Sequence, residues 1–124
     1  ALDAIAPLGF SYLSCTRASS PFIPSSCGIP EIPGNLPCVE ETGSYTPIRD
    51  AALRDRCGVL TLHAEIEGGR YANAFERDVL SPLLNAHISL VPLGLLFEQL
   101  EVSSLPVRPI RSALLAGRAD ECSV

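Results

Sequence analysis

The chain contains no lysine and no methionine, so all nine of its basic residues are arginines. A chain without lysine offers no side-chain acceptor for ubiquitin, which would suit a toxin that enters a host cytosol. A GC-rich coding bias is the more ordinary explanation. Because no initiator methionine is present, we expect a processed start, with a signal peptide removed before Ala1. No stretch reaches the roughly eighteen apolar residues of a membrane helix, which predicts no transmembrane segment.

Positive charge is also scarce, and it is not clustered. The formal net charge is −5 over 124 residues, and only Arg54 and Arg56 lie close together in the sequence. An anionic surface repels phosphate backbones, so strong nucleic-acid binding is not expected. With 47% hydrophobic and 19% charged residues, the composition is that of one globular domain. A mean hydropathy of +0.26 indicates either a well-filled core or an apolar surface for a partner.

The motifs of several enzyme and metalloprotein classes are missing. The chain has no paired CxxC, no helical HExxH, no GxSxG and no glycine-rich phosphate loop. His63, Glu65 and His87 could be recruited by a metal, but their spacing matches no recognisable metal site. We therefore predict neither a metal nor a cofactor.

Five cysteines are the strongest feature that is present. In a small processed chain they predict disulfides and an extracellular location. An odd number leaves one thiol free or available to bridge two chains. We expect four of the five to form two disulfides: Cys15, Cys27, Cys38, Cys57 and Cys122.

The segment SSCGIPEIPGNLPC, residues 25–38, lies within a Pro- and Ser-rich region at 16–46. Proline fixes φ and lacks an amide donor, which predicts a surface loop with no inner strand. A Cys27–Cys38 disulfide would offset the entropy of ordering that loop. One of this pair could instead reach Cys15 or Cys57, and the connectivity stays open.

The hydrophobic pattern predicts alternating helices and strands. Thr46 and Pro47 begin a helix over 47–57, whose inward side chains are Ile48, Ala52, Leu53 and Cys57. Strict alternation predicts a strand at 59–66. A helix over 72–87 should be divided at Pro82, followed by a buried strand at 88–91. Residues 93–102 are predicted to form either a hairpin or a helix, and the hairpin is preferred. A final helix is predicted from Pro109.

These elements predict an α+β fold over a single domain, residues 1–124. We expect an α/β sandwich, in which a mixed or antiparallel sheet carries two to three short helices on one face. A long, Pro-rich, disulfide-stapled loop would lie in its N-terminal part.

The polar face of the predicted strand at 59–66 is the candidate catalytic site. His63 and Glu65 would project together from it, with Arg70 and His87 nearby. A histidine beside a carboxylate can act as an acid–base pair, and an arginine can hold an anionic transition state. The alternative is a solvated strand face without catalytic function, and that interpretation is preferred.

The Leu-rich segment is the candidate binding surface. A short element can bury only one face, so we expect a protein partner or self-association at Leu93, Leu95, Leu96, Phe97 and Leu100. The length, acidity and few disulfides expected here resemble those of small secreted fungal effectors and killer-toxin-like domains, although no motif assigns a family. We predict a secreted protein of the toxin or effector class that acts by binding. The alternatives are a small ribonuclease- or phosphodiesterase-like hydrolase and a self-assembling extracellular structural protein.

Overall fold

The computed structural model describes residues 4–124, which divide into two compact units. Unit 1 contains the chain up to Asn35, together with Val91–Leu115 and Ala119–Val124. Unit 2 contains Leu36–Leu90 and Ala116–Arg118. The prediction of one domain over residues 1–124 stays a prediction.

Unit 1 holds the strands of the described chain, which pair as two short sheets. Strand β1 (Ile23–Pro24) runs parallel to β2 (Val107–Arg108). Strand β3 (Ser112–Leu114) runs antiparallel to β4 (Glu121–Ser123). Helices together with small sheets make the fold α+β, as predicted. The sandwich is not confirmed, because each sheet found in residues 4–124 has only two strands.

Much of the Pro-rich segment that belongs to unit 1 is buried, so the predicted surface loop is not confirmed. Phe22 and Ile32 are 2% and 1% exposed. Proline lacks an amide donor but keeps its carbonyl, so Pro30 accepts a hydrogen bond from the Leu13 amide at 2.8 Å. Ile32 donates back to the Leu13 carbonyl at 2.8 Å. The residues between the prolines therefore supply enough donors for an irregular but buried pairing.

The expectation of two disulfides is wrong as well. All five cysteines lie in the described part of the chain, and all five are free thiols. Cys15 and Cys57 are exposed and Cys38 is buried, so hydrogen bonds, not a covalent bridge, hold the Pro-rich segment. The extracellular location loses this support and stays a prediction.

The Cys15 thiol should react slowly although it is exposed. Burial of part of the group, together with the charge and hydrogen bonding of Glu31, raises the pKa of Cys15 to about 11. The reactive thiolate therefore forms only as the pH approaches that value. We expect iodoacetamide to alkylate Cys15 roughly a hundredfold more slowly in the folded chain than in urea at about pH 8. Peptide-resolved mass spectrometry measures both rates, and equal rates would contradict the prediction.

Unit 2 begins with two helices, α1 (Val39–Thr42) and α2 (Thr46–Asp55). The prediction of a helix at 47–57 is confirmed to within two residues, and Ile48 and Ala52 are buried as expected. Cys57 is exposed, in contrast to the prediction. The reason is that α2 ends at Asp55, and the next residue, Arg56, has a φ of 55° that turns the chain away before residue 57.

The predicted strand at 59–66 does not form. The chain there curls, because the carbonyl of His63 accepts the amides of Ile66 and Glu67, each at 2.9 Å. A π-helical turn follows at Ile66–Arg70. Alternation alone does not make a strand, since each strand needs a neighbouring strand to take its hydrogen bonds.

The predicted helix at 72–87 is present as a continuous series, α3 (Ala72–Phe75), a π-helical segment (Glu76–Leu80) and α4 (Ser81–Asn85). The backbone stays helical at Ser81, so Pro82 does not divide the series. A π-helical segment uses wider hydrogen-bond spacing, and here it ends at Leu80, two residues before the proline. Val79, which belongs to this series, is fully buried and forms part of the core of unit 2.

The C-terminal elements differ most from the predictions. Residues 93–98 form a helix, α5 (Leu93–Glu98), where a hairpin was preferred. The predicted strand at 88–91 is absent, and Leu90 and Val91 are exposed. Where a helix was predicted from Pro109, strand β3 pairs with the chain's own tail. None of the helices in residues 4–124 has the length and apolar character that crossing a membrane requires.

Candidate functional site

The four residues of the predicted catalytic site all lie in unit 2, but the structure does not assemble them. Without a strand at 59–66, His63 and Glu65 do not share a strand face. Glu65, Arg70 and His87 are exposed, and His87 has a left-handed backbone with φ of 57°. Within residues 4–124, no hydrogen bond or ion pair joins any two of the four.

His63 contacts a different carboxylate, Glu40 of α1. Its Nδ1 atom lies 2.9 Å from Glu40 Oε1, and both side chains are about one-third exposed. Burial pushes the pKa of Glu40 upward, but hydrogen bonding to Cys38 and to the backbone, with the charges of His63 and Arg118, leaves that pKa below its ordinary value. Glu40 is therefore ionised at neutral pH and forms an ion pair with His63 whenever the imidazole is protonated.

Glu67 directly follows the predicted strand at 59–66, and it is only 7% exposed. Its Oε1 accepts a hydrogen bond from the Tyr45 hydroxyl at 3.2 Å, and its Oε2 accepts the His63 amide at 2.7 Å. Burial of the phenol, followed by the charge of Glu67, raises the pKa of Tyr45 to about 12. The carboxylate thus fixes the curl at 63–67. The pair Gly68-Gly69 was the one sequence signal that the strand ends here.

Cys38 begins α1 and forms a second buried network. Its Sγ accepts the Glu41 amide, and its own amide donates to Glu41 Oε2 at 3.2 Å. Arg118 reaches both residues, with Nη2 at 3.0 Å from Cys38 Sγ and Nε at 3.2 Å from Glu41 Oε1. Burial is the main cause that raises the pKa of Cys38. A buried, neutral thiol is a poor nucleophile, so this network is structural.

An open cleft of about 430 Å³ lies in unit 2. It runs between the start of α2, the π-helical turn and α3. Arg70, one of the predicted site residues, lines it, with its guanidinium carbon 4.7 Å from the centre of the Tyr71 ring. Glu40, the partner of His63, also lines the cleft. The polar and aromatic residues of its wall are Glu40, Ser44, Tyr45, Thr46, Arg70, Tyr71 and Asp78.

The structure places the predicted association residues together in unit 1. Leu93, Leu95, Leu96 and Phe97 belong to α5, and Leu100 follows directly. The Phe97 ring packs on Tyr12 with centroids 5.1 Å apart. Leu95 is 46% exposed, and the other four are half-buried.

No known protein family matches this chain.

Proposed function

We propose that this protein acts by binding and self-association rather than by catalysis, and that α5 supplies the contact surface. The observation that carries the proposal is the exposure of Leu95, at 46%, on a helix whose other apolar residues are half-buried. The predicted acid–base residues supply no comparable arrangement.

The packing of α5 leaves one apolar side uncovered. Gly94 and Phe97, which are three residues apart on the helix, both face Tyr12. The Tyr12 hydroxyl lies 3.8 Å from the point that a Cβ would occupy if Gly94 were alanine. Leu95 does not lie on that line, and its side chain is 46% exposed. Val91, which precedes the helix, is 56% exposed. Covering exposed Leu or Val side chains yields about 1.5–3 kcal/mol each, which favours a second apolar surface here.

A second copy of the chain is the occupant to which we commit. The exposed apolar surface around Leu95 can be covered by another apolar surface, and a second copy of the chain carries the same one. Two copies related by a two-fold axis near Leu95 would therefore be complementary to each other. Glu98 is the only charged residue of α5 and would lie at the rim. Each copy carries a formal charge of −5, which opposes association at low salt. Added salt should therefore strengthen self-association.

The contacts of the catalytic candidates support the same proposal. His63 is paired with Glu40 and not with Glu65. Glu67 accepts hydrogen bonds from Tyr45 and from the His63 amide, so its carboxylate is engaged in holding the backbone. These contacts favour a structural role for the segment over the hydrolase alternative.

Replacing Leu95 with glutamate should weaken self-association at least tenfold, because each contact would lose a buried leucine and gain a charge. Sedimentation equilibrium over a concentration series measures the dissociation constant. The matched control is Leu84→Glu in α4, where the leucine is 51% exposed but lies outside α5; it should leave association unchanged. A chain that is monomeric at millimolar concentration, or equal effects of both variants, would contradict the proposal.

A further inference from the structure

Arg70 differs from the other arginines of unit 2. Each of the others donates to an acceptor or lies beside a carboxylate: Arg49, Arg54, Arg56, Arg77 and Arg118. Among residues 4–124, Arg70 has neither a hydrogen-bond acceptor nor a carboxylate partner, and its contact is with the Tyr71 ring. A cation without a counter-ion among the described residues is available to an anionic ligand.

The N–H donors of Arg70 have no acceptor among residues 4–124. A guanidinium carries its five N–H donors in the plane of the group. Its carbon lies 4.7 Å from the centre of the Tyr71 ring, which is a cation–π distance. The donors can bind a carboxylate or a phosphate through two parallel hydrogen bonds.

The two acidic residues of the cleft already contact basic side chains. Asp78 Oδ1 lies 2.6 Å from Arg77 Nε, and Glu40 Oε1 lies 2.9 Å from His63 Nδ1. The Arg77 contact lowers the pKa of Asp78, as expected for an ionised, paired carboxylate. Within residues 4–124, Arg70 is thus the charged residue of the cleft that contacts no ionisable side chain of opposite type.

The rest of the cleft wall suits a planar, mainly apolar group. Tyr45, Tyr71 and Ala74 contribute aromatic and aliphatic surface, while Ser44 and Thr46 add hydroxyl groups. A volume of about 430 Å³ is within the range of small-molecule sites, roughly 300–1,000 Å³. An aromatic ring bearing one anionic group fits both the wall and the charge.

We propose that this cleft binds a small aryl anion, whose carboxylate or phosphate is held by Arg70 and whose ring lies against the tyrosines. The proposal is independent of self-association, because none of these residues belongs to α5. A single ion pair in an open cleft gives modest affinity, with a dissociation constant on the order of 1 mM or somewhat below.

Phenyl phosphate is the first probe, titrated into the full chain and followed by amide chemical shifts. We expect shifts at Tyr45, Thr46, Arg70 and Tyr71, and tighter binding than of inorganic phosphate, which lacks the ring. Shifts confined to other residues, or equal affinity for the two phosphates, would overturn the proposal. Benzylamine is the opposite-charge probe; tighter binding of this amine would identify a cation site at Glu40 and Asp78 instead.

Variants can distinguish a direct contact between Arg70 and the ligand from an effect of the protein's net charge. Arg70→Gln should weaken phenyl phosphate binding at least tenfold, while Arg70→Lys, which keeps the charge but loses the planar fork, should fall between it and the native chain. Arg54→Gln is the control, because Arg54 is exposed and does not line the cleft. Arg70 is exposed too, so the melting temperature should not change. Equal affinities for the two glutamine variants would refute the assignment.

Discussion

Replacing Glu31 with alanine is expected to lower the free energy of unfolding by about 3–5 kcal/mol, since two backbone amides would each lose an acceptor at about 1–3 kcal/mol. Glu31 is 0% exposed, and its Oε1 accepts the amides of Cys15 and Thr16 at 2.8 and 2.9 Å. The same oxygen accepts the Thr16 hydroxyl at 3.0 Å. One carboxylate therefore ties the segment at 15–16 to the Pro-rich segment, the role that the sequence had assigned to a disulfide.

The matched variants for this prediction are Glu31→Gln and Glu65→Ala. Glutamine keeps one acceptor oxygen for the amides, so the loss should be smaller, about 1–2 kcal/mol. Glu65 is exposed, and its removal should change stability by less than about 0.5 kcal/mol. Urea unfolding curves measure all three. If Glu31→Ala were as mild as Glu65→Ala, the carboxylate would not be holding these amides.

Replacing Gly117 with alanine is expected to destabilise the chain by about 2–4 kcal/mol, combining overlap with strain. A Cβ at this position would lie 2.7 Å from the Glu41 Cα and against the Glu41 carbonyl oxygen. These are backbone atoms of α1 and cannot move aside as a flexible side chain would. The backbone of Gly117 also has φ of +83°, which alanine adopts only with strain. The close approach is what brings Arg118 to Glu41 and Cys38.

Gly28→Ala is the control that isolates this close approach. Gly28 has φ of +69°, and a Cβ there would meet no atom within 4 Å, so only the conformational strain of about 1–2 kcal/mol remains. Thermal unfolding of both variants compares the two losses. An equal fall in melting temperature would mean that α1 yields to the extra methyl group and that the contact with Glu41 is not tight.

The helices illustrate what local sequence can determine. α2 was predicted from Thr46, Pro47 and the inward spacing of Ile48 and Ala52, and it forms within two residues of the predicted range. The helical series at 72–85 was likewise predicted from its apolar spacing. Helical hydrogen bonds join residues four apart, so the information that specifies them lies in the same short stretch.

The catalytic candidates show where this local information ends. His63 and Glu65 were grouped because alternation predicted a common strand face, whereas the curl at 63–67 pairs His63 with Glu40, more than twenty residues earlier in the sequence. The Leu-rich residues lie on α5 and directly after it. Their helical arrangement, and the packing of Phe97 on Tyr12 that leaves Leu95 exposed, depended on a partner outside the segment.

By itself, the sequence determined the α+β class, the principal helices and the absence of a span long enough for a membrane. Only the tertiary structure decided which extended segments became strands, because strand hydrogen bonds come from distant residues. The alternating segment at 59–66 found no partner, whereas 112–114 paired with 121–123. The same reason applies to Glu31. Its burial in a Pro-rich segment depends on the amides of Cys15 and Thr16, which lie about fifteen residues away.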